Sequence, residues 1–162
     1  MYSHFRTGMD EITVRQFLCE GERKRPMLKQ LSLYVENKKG TMTDITGILK
    51  DEQINILGSV NNDGPEFGII RMVVSEPERA CERLKKAGYL CRMVDVMGIE
   101  IADESGSLHR LLSALTDSYI NVDYIYLSFN RNTSQPILIM HVKDDDIFEV
   151  ESCLRAKGFT AV

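Results

Sequence analysis

The sequence predicts an α+β protein made of two copies of a βαββαβ unit. First, an alternating apolar strand pattern followed by a charged turn and a glycine occurs twice, at Gly40 and at Gly106, 66 residues apart. Second, the same offset carries Gln-Ile-Asn-Ile at 53–56 onto Tyr-Ile-Asn-Val at 119–122. Third, apolar periods of two and of about 3.6 follow one another within each copy in the order strand, helix, strand, strand, helix, strand.

The first copy contains strands that alternate in polarity and helices that carry an apolar stripe. Strands are expected at 28–36, 54–61, 67–74 and 90–94, and helices around Met42, Ile45 and Leu49 and from Pro77 to Gly88. The motif Thr41-x-x-Asp44 predicts a capping box at the start of the first helix. An Asn-Asn-Asp-Gly-Pro segment at 61–65 predicts the turn between the second and third strands.

The second copy repeats this order. A strand is expected at 96–102, and helices are marked by the apolar stripes Leu108, Leu111, Leu112 and Leu115, and Ile147, Val150 and Leu154. The acidic run Asp144–Asp146 is interpreted as a helix start rather than a metal site, because carboxylates favour the positive end of a helix. Residues 84–89 recur at 154–159, an offset of 70, which predicts a four-residue insertion in the loop 130–135.

These elements predict two ferredoxin-like units, each with two helices on one face of a four-stranded antiparallel sheet and its second strand at an edge. The expected division is an N-terminal extension at 1–26, a first repeat at 27–95 and a second repeat at 96–162. Because strand 90–94 runs almost directly into strand 96–102, we expect one compact pseudo-symmetric body. The run Gly-Glu-Arg-Lys-Arg at 21–25 can be encoded almost entirely in purines, as a ribosome-binding site is, which raises the hypothesis that the natural start is Met27.

Composition excludes several classes of function. With 20 Lys and Arg against 24 Asp and Glu, the net charge of −4 disfavours a nucleic-acid-binding surface. No apolar run approaches the ~18 residues of a membrane helix, so a soluble cytoplasmic protein without membrane contact is expected. The four cysteines, Cys19, Cys81, Cys91 and Cys153, form no CxxC pair and are interpreted as small core residues, so no metal and no cofactor is predicted.

Three segments, in this order and with weaker echoes in the second copy, resemble the ACT family of small-molecule-binding regulatory domains in its tandem form. They are Val35 to Gly40 before a helix, Ile54 to Ile56 and Glu66 to Arg71, and the resemblance covers 27–162. It implies a non-catalytic regulatory protein that binds a free amino acid at the loop after the first strand, at an interface between domains. It also implies a homodimer, with an unknown regulated protein as a further partner.

The first copy is the preferred ligand site. By resemblance, Asn37 and Asn55 match the two asparagines of serine-binding members, while Val35 stands where those members have a histidine, which disfavours serine. Independently, Gly40 allows close approach to the backbone, and open amides at Thr41 and Met42 suit a carboxylate. Asparagine amides both donate and accept, so they suit the two ends of a zwitterion. A simple turn at 37–40 and a strand-entry role for Asn55 are the alternative interpretations.

The second copy is a possible second site of different selectivity. It consists of Asp103, Gly106, Ser107, Leu108 and Asn121. Asp103 replaces Asn37, and its carboxylate would repel the carboxylate of a ligand. His109 and His141 are interpreted as a solvated helix residue and a satisfied sheet residue rather than ligands.

Other proteins share this topology, and the residues that their chemistry requires distinguish them from this chain. An RNA-binding domain needs stacking aromatics on its open strands, where this chain offers only Tyr34 and Phe67. A copper carrier needs a CxxC after the first strand, and an acylphosphatase-like enzyme needs an arginine loop where Lys38 and Lys39 stand. The chief rival is a ligand-free ACT pair that serves as a dimerisation or partner-docking module.

Overall fold

The structure is a computed structural model that describes residues 27–64, 66–129 and 135–162. The extension 1–26, the Met27 hypothesis and most of the predicted insertion at 130–135 lie outside the described residues. Within these ranges, seven strands and four α-helices follow one another in the predicted order, with a 3-10 turn before the last helix. The elements are β1 (Met27–Glu36), α1 (Thr41–Asp51), β2 (Ile56–Asp63), β3 (Phe67–Val74), α2 (Pro77–Lys86), β4 (Leu90–Glu100), α3 (Ser107–Asp117), β5 (Tyr124–Phe129), β6 (Pro136–His141), the 3-10 turn (Asp144–Asp146), α4 (Ile147–Ala156) and β7 (Thr160–Ala161).

All strand pairs are antiparallel, and the strand order is β2-β3-β1-β4-β6-β5, with β7 also pairing β4. The first repeat therefore has the order β2-β3-β1-β4, and the second has β5-β6-β4-β7. The second strand of each repeat, β2 or β5, lies at an edge. This confirms the predicted ferredoxin-like topology.

One strand, β4, belongs to both repeats. Residues Leu90 to Met97 pair with β1, and Met97 to Glu100 pair with β6, with Ile99 and Glu100 also facing β7. The boundary expected between residues 95 and 96 thus falls inside a continuous strand. Odd-numbered residues such as Cys91 and Ile99 enter the cores under the helices, whereas Val94 and Val96 lie on the opposite face.

The molecule has four layers. The helices form the two outer layers, and the strands of each repeat form one inner layer, which we call a half-sheet. One core lies between α1, α2 and the first half-sheet, and a second lies between α3, α4 and the other half-sheet. A third cluster, around Val73, Val96, Tyr126 and Ile139, joins the helix-free faces. The sheet folds back on itself, so that β2 and β5, at opposite ends of the strand order, touch: Ser128 Oγ donates to the Leu57 carbonyl at 2.7 Å.

Two local predictions were wrong. Thr41 is the first helical residue rather than the cap, and no side chain caps α1; the Thr41 hydroxyl donates instead to the Glu36 carbonyl at 3.3 Å. The strand expected at 54–61 runs from Ile56 to Asp63, because the polar residues assigned to the turn pair with β3 at an exposed sheet edge. The connection between β2 and β3 is therefore shorter than the predicted turn at 61–65.

The repeat extends to backbone conformation. Gly40 and Gly106 precede the first helix of each repeat with φ of +97° and +91°. Gln53 and Tyr119, 66 residues apart, have φ of 57° and 56°, a conformation that is uncommon for residues with a side chain. Within the described ranges, no helix is long and apolar enough to cross a membrane.

Candidate functional site

The β1–α1 loop of the first repeat presents the start of a helix without a side-chain cap. Gly40 occupies the cap position in the left-handed region, which glycine adopts at no steric cost. The Thr41 amide, predicted to be open, donates to the Lys38 carbonyl at 3.2 Å. Because no side chain reaches the first-turn amides, the amide end of α1, including Met42, carries the positive end of the helix dipole toward the loop.

Asn37 joins this loop to the β2–β3 hairpin. Its side-chain Nδ2 donates to the Gly64 carbonyl at 3.2 Å, and its backbone N–H donates to the Glu66 carbonyl at 2.9 Å. Asn37 and Gly40 are both exposed. The Asn37 side chain therefore has a structural role, because its contact with Gly64 helps to hold the loop in place.

Asn55 lies at the opposite end of the sheet from Asn37. Its backbone N–H donates to Ser75 Oγ at 3.1 Å, and its carbonyl accepts from the Ser75 N–H at 2.9 Å, just beyond the end of β3. The Asn37 end is marked by the Glu36–Phe67 pair, at the start of β3. Seven residue steps along a strand span roughly 24 Å. The structure therefore does not bring Asn37 and Asn55 of one repeat to the same small ligand.

The second repeat has the same loop backbone with different side chains. The Asp103 N–H donates to Gln135 Oε1 at 2.8 Å, which ties the loop to the start of β6. The Arg110 guanidinium pairs with Glu104 and donates to Ser107 Oγ, across the start of α3. Arg110 stands 66 residues after Asp44, so the helix start carries a cation where the first repeat carries an acid.

Sequence reasoning missed Arg110, although the repeat offset exposes the charge reversal. Of the other predicted residues, Ser107 is buried, Leu108 packs against the second core and Asn121 is exposed. Asn121 lies near the start of β5, whereas Asp103 lies near the end of that strand, so these two residues are also apart.

A groove of about 670 Å³ lies beside the first loop, on the helix-free face of the first repeat. Its volume is that of a typical small-molecule or side-chain pocket. The sequence does not predict this groove, although it places the aromatic residues Tyr34 and Phe67 on the open face of the sheet. The groove residues are Tyr34, Val35, Glu36, Asn62, Gly64, Phe67, Gly68, Ile69 and Leu90.

A polar cluster joins the two half-sheets. Gln30, with no exposed surface, donates from Nε2 to Tyr124 Oη at 2.8 Å and accepts from Tyr126 Oη at 2.9 Å. Burial raises the pKa of Tyr126 well above its ordinary value, with Tyr124 adding to the effect. The Arg71 guanidinium lies 4.2 Å from the centroid of the Tyr124 ring.

Of the two histidines in the described ranges, His141 ends β6, while His109 lies in the first turn of α3, beside the second loop. The His141 ring stacks on Tyr124 with centroids 5.0 Å apart, and its Nδ1 lies 2.9 Å from Asp123 Oδ2, which agrees with a satisfied sheet residue. His109 is exposed on α3, 3.5 Å from Ser113 Oγ.

The described cysteines are buried or half-buried. Cys81 and Cys91 are buried in the first core, while Cys153 is half-buried and Cys19 lies outside the described residues. Burial, with a contribution from the neighbouring Cys81 thiol, raises the pKa of Cys91 to about 12, which leaves it a poor nucleophile at neutral pH. No group of three or more His, Cys, Asp or Glu residues there is arranged to hold a metal ion.

No curated protein sequence matches the chain. Among solved structures, a protein of Bacteroides thetaiotaomicron is 29% identical with a TM-score of 0.75, over 84% of this chain and 92% of that one. The regulatory subunit of aspartate kinase from Thermus thermophilus, in its ligand-free form, is 11% identical with a TM-score of 0.59, over 79% and 91%. Its counterpart from Thermus flavus is 14% identical with a TM-score of 0.56, over 79% and 88%.

These similarities to the aspartate kinase subunits concern the fold. The family profile described as an ACT domain pair matches residues 27–152, which is most of the chain and spans both repeats. The chain belongs to the ACT domain pair family.

Proposed function

We propose that this ACT domain pair is a non-catalytic sensor that binds a free amino acid at the β1–α1 loop of its first repeat. The observation that carries the proposal is the start of α1, which follows left-handed Gly40 and is left uncapped by any side chain. Such a helix start favours an anion such as a ligand carboxylate. ACT domains are regulatory modules, and the aspartate kinase subunits with this fold are regulatory subunits.

The proposed carboxylate position lies over the first-turn amides of α1, near Met42. The ammonium group then lies toward Asn37, whose amide oxygen accepts hydrogen bonds while its Nδ2 is directed to Gly64. A neutral amide binds an ammonium without leaving a buried net charge when the ligand is absent.

The site we propose is completed by another domain. Since Asn37 and Asn55 of one repeat lie at opposite ends of the sheet, an asparagine equivalent to Asn55 reaches the loop only from a second domain. Amino-acid binding would then change how two domains dock, and that change is the signal to a regulated partner protein.

The second repeat is the weaker candidate. Arg110 already engages Glu104 and Ser107 at the equivalent helix start, so a ligand carboxylate would have to compete with these contacts. A ligand that binds there needs a stronger ammonium contact, which Asp103 offers. Different selectivity in the two loops follows from these substitutions.

The competing function is a ligand-free docking module. The bond from Asn37 to Gly64 favours it, because this contact alone gives the asparagine a role in holding the loop. The two functions share one fold and differ only in whether a free amino acid stabilises the native state.

A thermal-shift screen against the twenty free amino acids separates them. Ligand that binds only the native state raises its stability by about 2.7 kcal/mol at 100-fold excess over Kd. We expect a rise with one chemical class of amino acid, absent in Asn37→Ala and retained in the control Glu149→Ala, at an exposed position of α4 outside both loops. Because Asn37→Ala also removes the Gly64 contact, the quantity to compare is the ligand-induced increment, not the melting temperature itself. No increment with any amino acid, in a folded sample, favours the docking module.

A further inference from the structure

Three large apolar side chains form an exposed cluster on the helix-free face of the first repeat, which we name the outer patch. It consists of Tyr34, Phe67 and Leu90, whose exposed fractions are 43%, 64% and 58%. Tyr34 is the cross-strand partner of Leu90, and Glu36 next along the same face is the partner of Phe67, so the patch is contiguous. Contiguous apolar surface of this kind marks an interaction site.

The outer patch continues an interface that the chain already forms. On the same face, nearer the centre of the molecule, Val73 and Val96 pack against Tyr126 and Ile139 of the second repeat. Along β1 this face passes from buried Gln30 and Ser32 to exposed Tyr34. The second repeat thus covers the inner part of the face and leaves its outer end open.

We propose that a second copy of this chain docks on the outer patch through a two-fold contact of the two first repeats. The inner part of the face already accepts the sheet of a homologous βαββαβ unit, so its shape and apolar character suit such a partner. A two-fold interface must be self-complementary. The patch meets this condition with apolar residues at its centre and both signs of charge at its rim, Glu36 and Arg92.

The groove gives this contact a specific anchor. Phe67 projects from its rim and is the most exposed of the three patch residues. In a two-fold arrangement the partner subunit's Phe67 enters the groove of one copy, and the reverse contact forms at the same time. Buried aromatic anchors of this type supply much of the binding energy of an interface.

The proposed contact adjoins the amino-acid site, since Gly64 lines the groove and accepts a hydrogen bond from Asn37, but it uses neither the α1 amides nor the Asn37 side chain. Its test is the oligomeric state of the full chain without ligand, measured by sedimentation velocity over a roughly hundredfold range of concentration. We expect a monomer–dimer equilibrium. Phe67→Lys and Leu90→Lys, tested singly, should each weaken dimerisation by roughly 30-fold or more.

The matched control is Phe148→Lys, on α4, where the side chain is 69% exposed and away from the patch. It should leave the dimer unchanged. Far-UV circular dichroism should show the same fold in all three variants, since each replaced side chain is mostly exposed. A wild-type chain that stays monomeric at every concentration overturns the proposal and leaves the groove to another occupant. A dimer that survives both patch variants also overturns it and places the contact elsewhere, for example at the β2 or β5 edge.

Discussion

Gln30 is a fully buried amide at the junction of the two half-sheets. It contacts the hydroxyls of Tyr124 and Tyr126 from β5 and also donates to Ser32 Oγ at 3.1 Å. Buried polar groups are tolerable only when they are hydrogen-bonded, so these contacts depend on one another. Gln30 therefore fixes the register in which the second repeat sits on the first.

A double-mutant cycle measures this dependence. Gln30→Ala should lower the free energy of unfolding by about 1–3 kcal/mol, because it leaves the Tyr126 hydroxyl buried without its acceptor. In the Tyr126→Phe background, Gln30→Ala should cost less than it does in the wild type, because the hydroxyl that loses its acceptor is already absent. Urea unfolding should give a coupling energy between the two substitutions of about 0.5–3 kcal/mol. The control Tyr34→Phe, at an exposed tyrosine of β1, should change stability by no more than about 0.5 kcal/mol. Strictly additive effects of the Gln30 and Tyr126 changes would contradict the proposed network.

Sequence alone could not identify Gln30 as buried. Alternation in β1 assigns Leu31 and Leu33 to one face and Gln30 and Ser32 to the other, and a polar face normally meets water. Here the polar face is covered by the second repeat. Only the folding of one half-sheet onto the other reveals this, and neither pattern nor spacing encodes it.

At the scale of elements, the approach of β2 to β5 depends on Gly58. A Cβ added to Gly58 would lie 2.7 Å from both Cβ and Oγ of Ser128 and 3.2 Å from its Cα. The contact includes atoms next to the backbone, so relief requires the strands to move apart. The bond from Ser128 to the Leu57 carbonyl would be strained by the same movement.

Gly58→Ala should therefore lower the free energy of unfolding by about 1–3 kcal/mol. The same substitution at Gly47 is the matched control, because a Cβ there meets nothing within 4 Å and the residue lies inside α1. Gly47→Ala should raise stability by about 0.5–1 kcal/mol. Chemical denaturation of the two variants compares them directly, and destabilisation by both would show that the close contact at Ser128 is not the cause.

Elements with strong apolar periods were predicted well, and those that rely on polar residues were not. The bounds of β3 agree with the prediction, as does the start of α2 at Pro77. The end of β2 was misplaced, because Asn61 and Asn62 pair at a sheet edge where polar side chains remain solvated. The capping box failed because Gly40, not Thr41, takes the cap position.

At the scale of the whole molecule, β4 joins the two repeats in one sheet, and we expect them to unfold as one cooperative unit. Val96, fully buried, lies in the layer between the half-sheets, while Cys91 and Met97 of the same strand enter separate helix-covered cores. Unfolding either repeat therefore exposes apolar surface of the other. The sequence predicted this single body from the short junction.

Native-state hydrogen exchange tests this cooperativity. Amides of β1 in the first repeat and of β6 in the second should exchange through the same global opening, with equal free energies and equal denaturant dependence. Mass spectrometry of peptides from both strands measures this. A first repeat that opens completely while β6 stays protected would show that the repeats are independent.

The site was only partly accessible from sequence. The repeat offset located both loops and their glycines, because local backbone requirements are written in local residues. The separation of Asn37 from Asn55 follows from the predicted order strand, helix, strand, because α1 runs back along the sheet between them; the resemblance grouped the two residues without regard to this distance. The outer patch was missed because its members come from three strands.

The shared strand β4 also limits which insertions and deletions the sequence can accept. Side chains alternate along β4, so Met97 and Ile99 reach the second core only because the strand keeps its phase from Cys91 onward. Inserting or deleting one residue between these points would turn every later apolar side chain to the wrong face. Two residues would restore the phase but shift the pairing with β6. The junction is therefore a segment whose length is fixed even where its individual residues are free to change.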